Sequence, residues 1–144
     1  MLKGIPAIIS PELLKVLCEM GHGDKLVIAD GNFPAESVGK NAVVIRADGH
    51  NVPELLDAIL TLMPLDSSVS HPVTLMQVSE GDDIETPIWD VFKQIVSSAD
   101  SRGADAFEEI GRFSFYDTAA SAYCIIATSE KALYANIMLQ KGVI

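Results

Sequence analysis

The chain has 144 residues, enough for one ordinary domain and too few for two. Apolar residues make up 49% and charged residues 21%, which excludes a disordered or fibrous chain. With 20 Asp+Glu against 10 Lys+Arg the formal net charge is −10, which argues against nucleic acid and anionic membranes, both of which call for clustered cations. Residues 1–144 are therefore read as a single domain. Met1-Leu2-Lys3-Gly4 runs into Pro6 and Pro11 without a sustained apolar segment, so no secretory leader is expected, and the apolar runs are too short to span a bilayer. A cytoplasmic location is the expectation. Cys18 and Cys124 each sit in an apolar run outside any CxxC or metal-ligand spacing, and are read as two buried free thiols.

In chain order, helical and extended signals alternate. Ser10-Pro11-Glu12 reads as an N-cap, a Pro at the first helical position and a first-turn acid, with Leu13, Val16, Leu17 and Met20 following at helical spacing and Gly21 as the stop. Residues 25–29 and 42–46 are short apolar runs, predicted as buried strands. Pro53 opens a second helix bearing Leu56, Ile59, Leu60 and Met63, and Pro64 ends it. Residues 73–78 are predicted as a strand, and Thr86-Pro87 as the cap of a third helix carrying Ile88, Val91, Phe92 and Ile95. Arg112 to Ser121 reads as a short helix, 122–127 as a clear strand, and 133–139 as a last strand. The few residues between the last two strands predict a hairpin. The fold class is α/β: a three-layer α/β/α arrangement around a mostly parallel, mixed sheet.

In such sheets ligands bind beyond the carboxyl ends of the strands, and Asp30 stands at one, directly after the run 26–29. Its carboxylate can accept hydrogen bonds from sugar hydroxyls, or it can cap the Gly31-Asn32-Phe33-Pro34 turn; the residues leave both open. His22, flanked by Gly21 and Gly23, has the chemistry for proton transfer near neutral pH, against an incidental place at a helix end. Asp24 can orient that imidazole or cap the turn. Arg112 can offer a fork of donors to a sugar oxygen or a carboxylate, or sit in solvent at a helix start. Tyr134 and Asn136, separated by Ala135, would share one face of the last strand. His50 and His71 read as surface residues. Three scattered histidines supply no metal site, and neither a Walker pattern nor GxGxxG is present.

Taken in order, several segments resemble one family. They are Gly4-Ile5-Pro6 with Ile9 to Leu14, Met20-Gly21-His22-Gly23-Asp24, Ala29-Asp30-Gly31-Asn32-Phe33-Pro34, and Val44-Ile45-Arg46-Ala47-Asp48-Gly49. Arg112-Phe113-Ser114-Phe115-Tyr116, Tyr134-Ala135-Asn136-Ile137 and Lys141-Gly142-Val143 complete the set. The chain thus resembles the monosaccharide mutarotases, the family of fucose mutarotases and ribose pyranases. Gly-His-Gly-Asp in place of Gly-His-Thr-Asp, and Gly-Asn-Phe-Pro after Asp30, place it nearer the fucose branch. The resemblance implies anomer interconversion of L-fucose or a related monosaccharide, with His22 as proton donor and Asp30, Arg112, Tyr134, Ala135 and Asn136 binding the sugar. It implies no cofactor and no metal, and a homo-oligomer, a ring-based decamer, with sites at subunit interfaces. Ribose pyranase activity and a non-catalytic sugar-binding or transport-accessory role are the alternatives. The stretch from Leu65 to Ala106 carries little motif content.

Overall fold

The computed structural model describes residues 1–144. Its helices begin where the local chemistry says they should. Helix α1 (Pro11–Glu19) is capped by Ser10, whose side chain accepts from the Leu13 N–H at 3.1 Å. Helix α3 (Val52–Leu60) starts with a full capping box between Asn51 and Glu54. Each such cap contributes about 1 kcal/mol. Helix α4 (Pro87–Ala99) also has Pro in its first turn, but the Thr86 hydroxyl makes no capping bond, contrary to expectation. Helix α2 (Ala35–Val38) was not anticipated, and α5 (Arg112–Ala120) falls where the sequence puts it.

The strands are β1 (Lys25–Ala29), β2 (Val43–Ala47), β3 (Val73–Met76), β4 (Phe107–Ile110), β5 (Cys124–Thr128) and β6 (Ile137–Gln140). They form one sheet in the order β2-β5-β1-β6-β3-β4. The pairs β1–β5, β2–β5 and β3–β4 are parallel, and β6 runs antiparallel to both β1 and β3. The sheet is therefore mixed and mostly parallel, as expected, but β5 and β6 form no hairpin. Strand β1 lies between them, because the chain from Ser129 to Asn136 crosses the end of β1 before turning back.

Side chains alternate across the sheet. Leu26, Ile28, Cys124 and Ile126 join α1, α3 and α4 in the larger core, whereas Val27, Ala29, Ile125 and Ala127 pack with Phe33, Phe115 and Ala119 beside α2 and α5. This is the three-layer α/β/α arrangement. Cys124 is fully buried, and burial pushes its thiol up to about 12, which leaves it inert. Cys18 is exposed, not buried. It lies one residue, about 100° around the helix, past Leu17 and so off the Leu13/Val16/Leu17 face. No helix is long and apolar enough to cross a membrane.

The reversal of β6 decides what meets what. Its first residues start at the sheet end where β1 and β3 finish, and Ile28 pairs with Ile137. Tyr134, Ala135 and Asn136 are thereby carried to the side of Asp30. At the opposite end of the sheet, Lys141 leaves β6 beside the turn that precedes β1, donating its ammonium to the carbonyls of Leu17 and Met20 at the end of α1. There Gly142 lies so close to the 65–66 loop that an added Cβ would sit 2.5 Å from the Leu65 carbonyl oxygen.

Candidate active site

At the carboxyl ends of β1, β3 and β4 lies a crevice of about 290 Å³ that includes Asp30, Phe33, Arg112, Tyr116, Tyr134 and Asn136 in its lining. That is the low end of ligand-site volumes, suited to a small molecule. Asp30 follows the last residue of β1 and is 5% exposed. Its Oδ1 accepts from the Asn32 N–H at 2.9 Å, so it does form the Asx turn. Its Oδ2 accepts from Asn136 Nδ2 at 3.0 Å, while its own N–H donates to Asn136 Oδ1 at 2.8 Å. The two readings of Asp30 are therefore compatible: it caps a turn and lines the crevice. Burial raises its pKa above the ordinary carboxylate value, opposed by the backbone N–H groups of Asn32, Ala135 and Phe33 and by the Asn136 amide.

Tyr134, Ala135 and Asn136 precede β6; they are not part of a strand as expected. Tyr134 has φ 54°, in the left-handed region that side chains rarely adopt. Three contacts pin it. Its carbonyl accepts from Trp89 Nε1 at 2.8 Å, its hydroxyl accepts from the Ser79 N–H at 3.1 Å, and that hydroxyl donates to Asp82. Tyr134 thus closes the loop after β3 over the crevice, and this brings in Asp82 and Ile84, which the sequence reading missed. Ala135 is fully buried and contributes backbone. Arg112 is the first residue of α5. Its Nε donates to the Tyr116 hydroxyl at 3.2 Å, and its guanidinium carbon lies 5.7 Å and 5.6 Å from the ring centroids of Phe113 and Tyr116. Both terminal nitrogens remain free to donate.

His22 is elsewhere. It precedes β1, whereas Asp30 follows it, and five residues of strand put them roughly 17 Å apart along the sheet. One chain does not bring His22 to the crevice. Its Nε2 instead lies 3.1 Å from Asp66 Oδ1. Asp66 is 2% exposed and receives the Ser68 hydroxyl at 2.7 Å, the Ser68 N–H at 2.8 Å and Gln140 Nε2 at 2.9 Å. Those donors, Ser68 first, hold its carboxyl well below the usual range despite its burial. An ionised carboxylate only accepts, so Nε2 of His22 carries the hydrogen and Nδ1 is the nitrogen left for a ligand. Asp24 does not touch the imidazole; it accepts from the Gly21 N–H at 2.7 Å and caps the turn. Ser68 Oγ lies 3.5 Å from the same Nε2, so His22, Asp66 and Ser68 cannot act as a nucleophilic triad, which needs both ring nitrogens. His50 and His71 are exposed, as read. No group of three His, Cys, Asp or Glu side chains is placed to hold a metal ion.

Fold and crevice together define an α/β protein with a small, polar ligand site at the carboxyl ends of its strands. The chain belongs to the RbsD / FucU transport protein family, whose model matches residues 3–144. The human fucose mutarotase is 45% identical over 147 residues, spanning 99% of this chain and 94% of the relative. The crystal structure of FucU from Bifidobacterium longum superposes with a TM-score of 0.97 at 63% identity, covering 99% of both chains. The fucose mutarotase from Streptococcus pneumoniae, solved in complex with L-fucose, superposes with a TM-score of 0.91 at 48% identity, again covering 99% of both chains.

Proposed function

We propose that this chain is a monosaccharide mutarotase that interconverts the α and β anomers of L-fucose, or of a closely related sugar, by general acid–base ring opening and reclosure. The observation that carries the proposal is the crevice itself: a buried carboxylate, a free guanidinium fork and aromatic edges, in a chain similar from end to end to a fucose mutarotase that binds L-fucose. A base takes the proton of the anomeric hydroxyl while an acid protonates the ring oxygen; the ring opens to the aldehyde, the carbonyl turns, and the ring recloses. Each positioned group gives about 10²–10⁴-fold. In this reading Asp30, held above the ordinary carboxylate value, accepts from sugar hydroxyls, Arg112 fixes the sugar with its terminal nitrogens, and Asn136 aims Asp30. Tyr134 contributes its ring and the turn that shapes the wall.

His22 is the acid, supplied by a neighbouring subunit. The separation of His22 from the crevice within one chain supports that arrangement. So do Phe113 and Leu133, large apolar side chains 75% and 51% exposed at the crevice rim, where a second copy would cover them. To this reading belong a homo-oligomer of ring type, as the family resemblance implies, residues 1–144 acting as one unit, and work on free monosaccharide in the cytoplasm. Saturation-transfer NMR between the α and β signals of L-fucose tests the activity, with D-ribose run alongside. Exchange above the buffer rate for fucose supports it; a buffer rate at micromolar protein overturns it.

A further inference from the structure

We propose that Arg102 is a positioning residue for the His22–Asp66 pair, holding the loop that carries Asp66 in the shape that lets its carboxylate reach the imidazole. The inference rests on the reading of His22 as the acid. Arg102 follows α4 and touches neither His22 nor the crevice. Its Nη1 donates to two carbonyls of that loop, Asp66 at 3.0 Å and Val69 at 2.9 Å. The other side of the guanidinium is locked onto Asp100, with Nε to Oδ1 at 2.9 Å and Nη2 to Oδ2 at 2.7 Å. Asp100 Oδ1 also accepts from the Arg102 N–H at 2.9 Å, so the ion pair is tied to its own backbone.

The geometry explains why the pair needs help. Asp66 must aim Oδ1 at His22, yet between Leu60 and Val73 the backbone has no helix or strand to set its direction. One side is fixed by the Leu65–Lys141 bridge and the Gln140 amide. The Asp66 N–H is itself tied to the Gln140 carbonyl at 3.0 Å, but beyond it Ser67 to Val69 has only the Ser68 turn and the grip of Arg102 on the Asp66 and Val69 carbonyls. A planar fork can hold the Asp100 carboxylate and two carbonyls together, which a lysine ammonium at the end of a flexible stem cannot do. A His whose orienting partner wanders spends less time in the productive pose.

The test is Arg102→Lys, which keeps the charge and removes the fork. Three readouts apply to the intact oligomer: anomer exchange, the ring resonances of His22 in ¹³C-labelled protein, and thermal stability. The expected result is an exchange rate at saturating L-fucose lowered about tenfold, with half-saturation within about twofold of the parent. The His22 ring signals should shift and broaden. In an Asp66→Asn background the same substitution should cost less than about twofold in rate, because the two act in series. A purely structural role predicts lower stability with unmoved His22 signals, or equal rate losses in both backgrounds; either result overturns the proposal. Asp100→Asn, which unlocks the guanidinium from the other side, is the second variant should Arg102→Lys fold poorly, and the same His22 signals must move. If His22→Ala retains parental exchange, the acid–base reading fails on its own, while the ring signals of Arg102→Lys still decide the positioning role.

Discussion

Asn136→Ala removes both arms of a reciprocal clamp. Asn136 and Asp30 are 4% and 5% exposed, and their two hydrogen bonds, at 2.8 and 3.0 Å, join the backbone N–H and the carboxylate of Asp30 to one amide. The neutral bond is worth about 0.5–1.5 kcal/mol and the charge-assisted one about 1.5–3 kcal/mol, so complete loss would cost about 2–4.5 kcal/mol. Asp30 borders the crevice, and water entering there recovers part of the loss; a destabilisation of about 2–3 kcal/mol is the expected outcome. Urea unfolding at one fixed protein concentration measures it, since assembly makes apparent stability depend on concentration. Sugar affinity should fall about tenfold in parallel, because the carboxylate loses its aim. An Asp30→Ala background supplies the control: Asn136→Ala should then cost little more, as the two side chains act as one unit. A stability change below about 0.5 kcal/mol, with parental L-fucose binding by calorimetry, would refute the reasoning.

Three further outcomes follow from the same geometry. Asp66 has its pKa lowered below the unfolded value of 3.8, so it contributes stability that is present above that value and is lost as pH falls through its folded pKa. Asp66→Asn should therefore lower the melting temperature most above about pH 5, with the gap to the parent closing toward about pH 2 in a thermal series. Trp89→Phe deletes the donor to the Tyr134 carbonyl; it should cost about 1 kcal/mol and weaken sugar binding, and since Trp89 is the sole tryptophan, the parent's emission should shift on L-fucose titration. Arg112→Lys loses the fork and the two ring contacts of an exposed residue, so sugar affinity should drop about tenfold while stability moves by less than about 0.5 kcal/mol, checked by calorimetry and melting.

Much of the fold was legible because it is written in local signals. Ser10-Pro11 and Pro53 announce helix starts, and runs such as Leu26 to Ala29 are apolar on both faces because helices cover both sides of the sheet. Strand β4 escaped notice because Phe-Glu-Glu-Ile is an edge strand whose two acids face solvent and protect the edge, so it shows no apolar run. The false hairpin came from reading a short separation as adjacency, whereas pairing is set by the whole sheet: β1 takes the place beside β5. At the crevice, Asp30, Arg112 and Asn136 could be named in advance from strand ends and family segments. Asp82 and Ile84 could not, since the Tyr134–Asp82 contact that closes the loop spans 52 residues and leaves no local trace. Asp66 was missed for a similar reason. It lies in a loop without periodicity, and its one local signal, a Ser two residues on that bonds its carboxylate, marks an ordinary turn as readily as a site. The split between His22 and the crevice was readable in sequence, because the strand expected at 25–29 stands between His22 and Asp30 and carries them to opposite ends of the sheet.

The most direct measurement is a mixing experiment. His22→Ala and Arg112→Ala proteins are each prepared, shown to be folded and assayed for α/β exchange of L-fucose by saturation transfer, then unfolded together and reassembled in equal amounts. If one subunit supplies the acid and its neighbour the crevice, each variant alone runs near the buffer rate, while the random mixture recovers about a quarter of parental exchange, since half of the crevices and half of the imidazoles are intact. A mixture no faster than the two variants alone, when the parental protein put through the same reassembly regains its rate, would contradict a site shared between subunits.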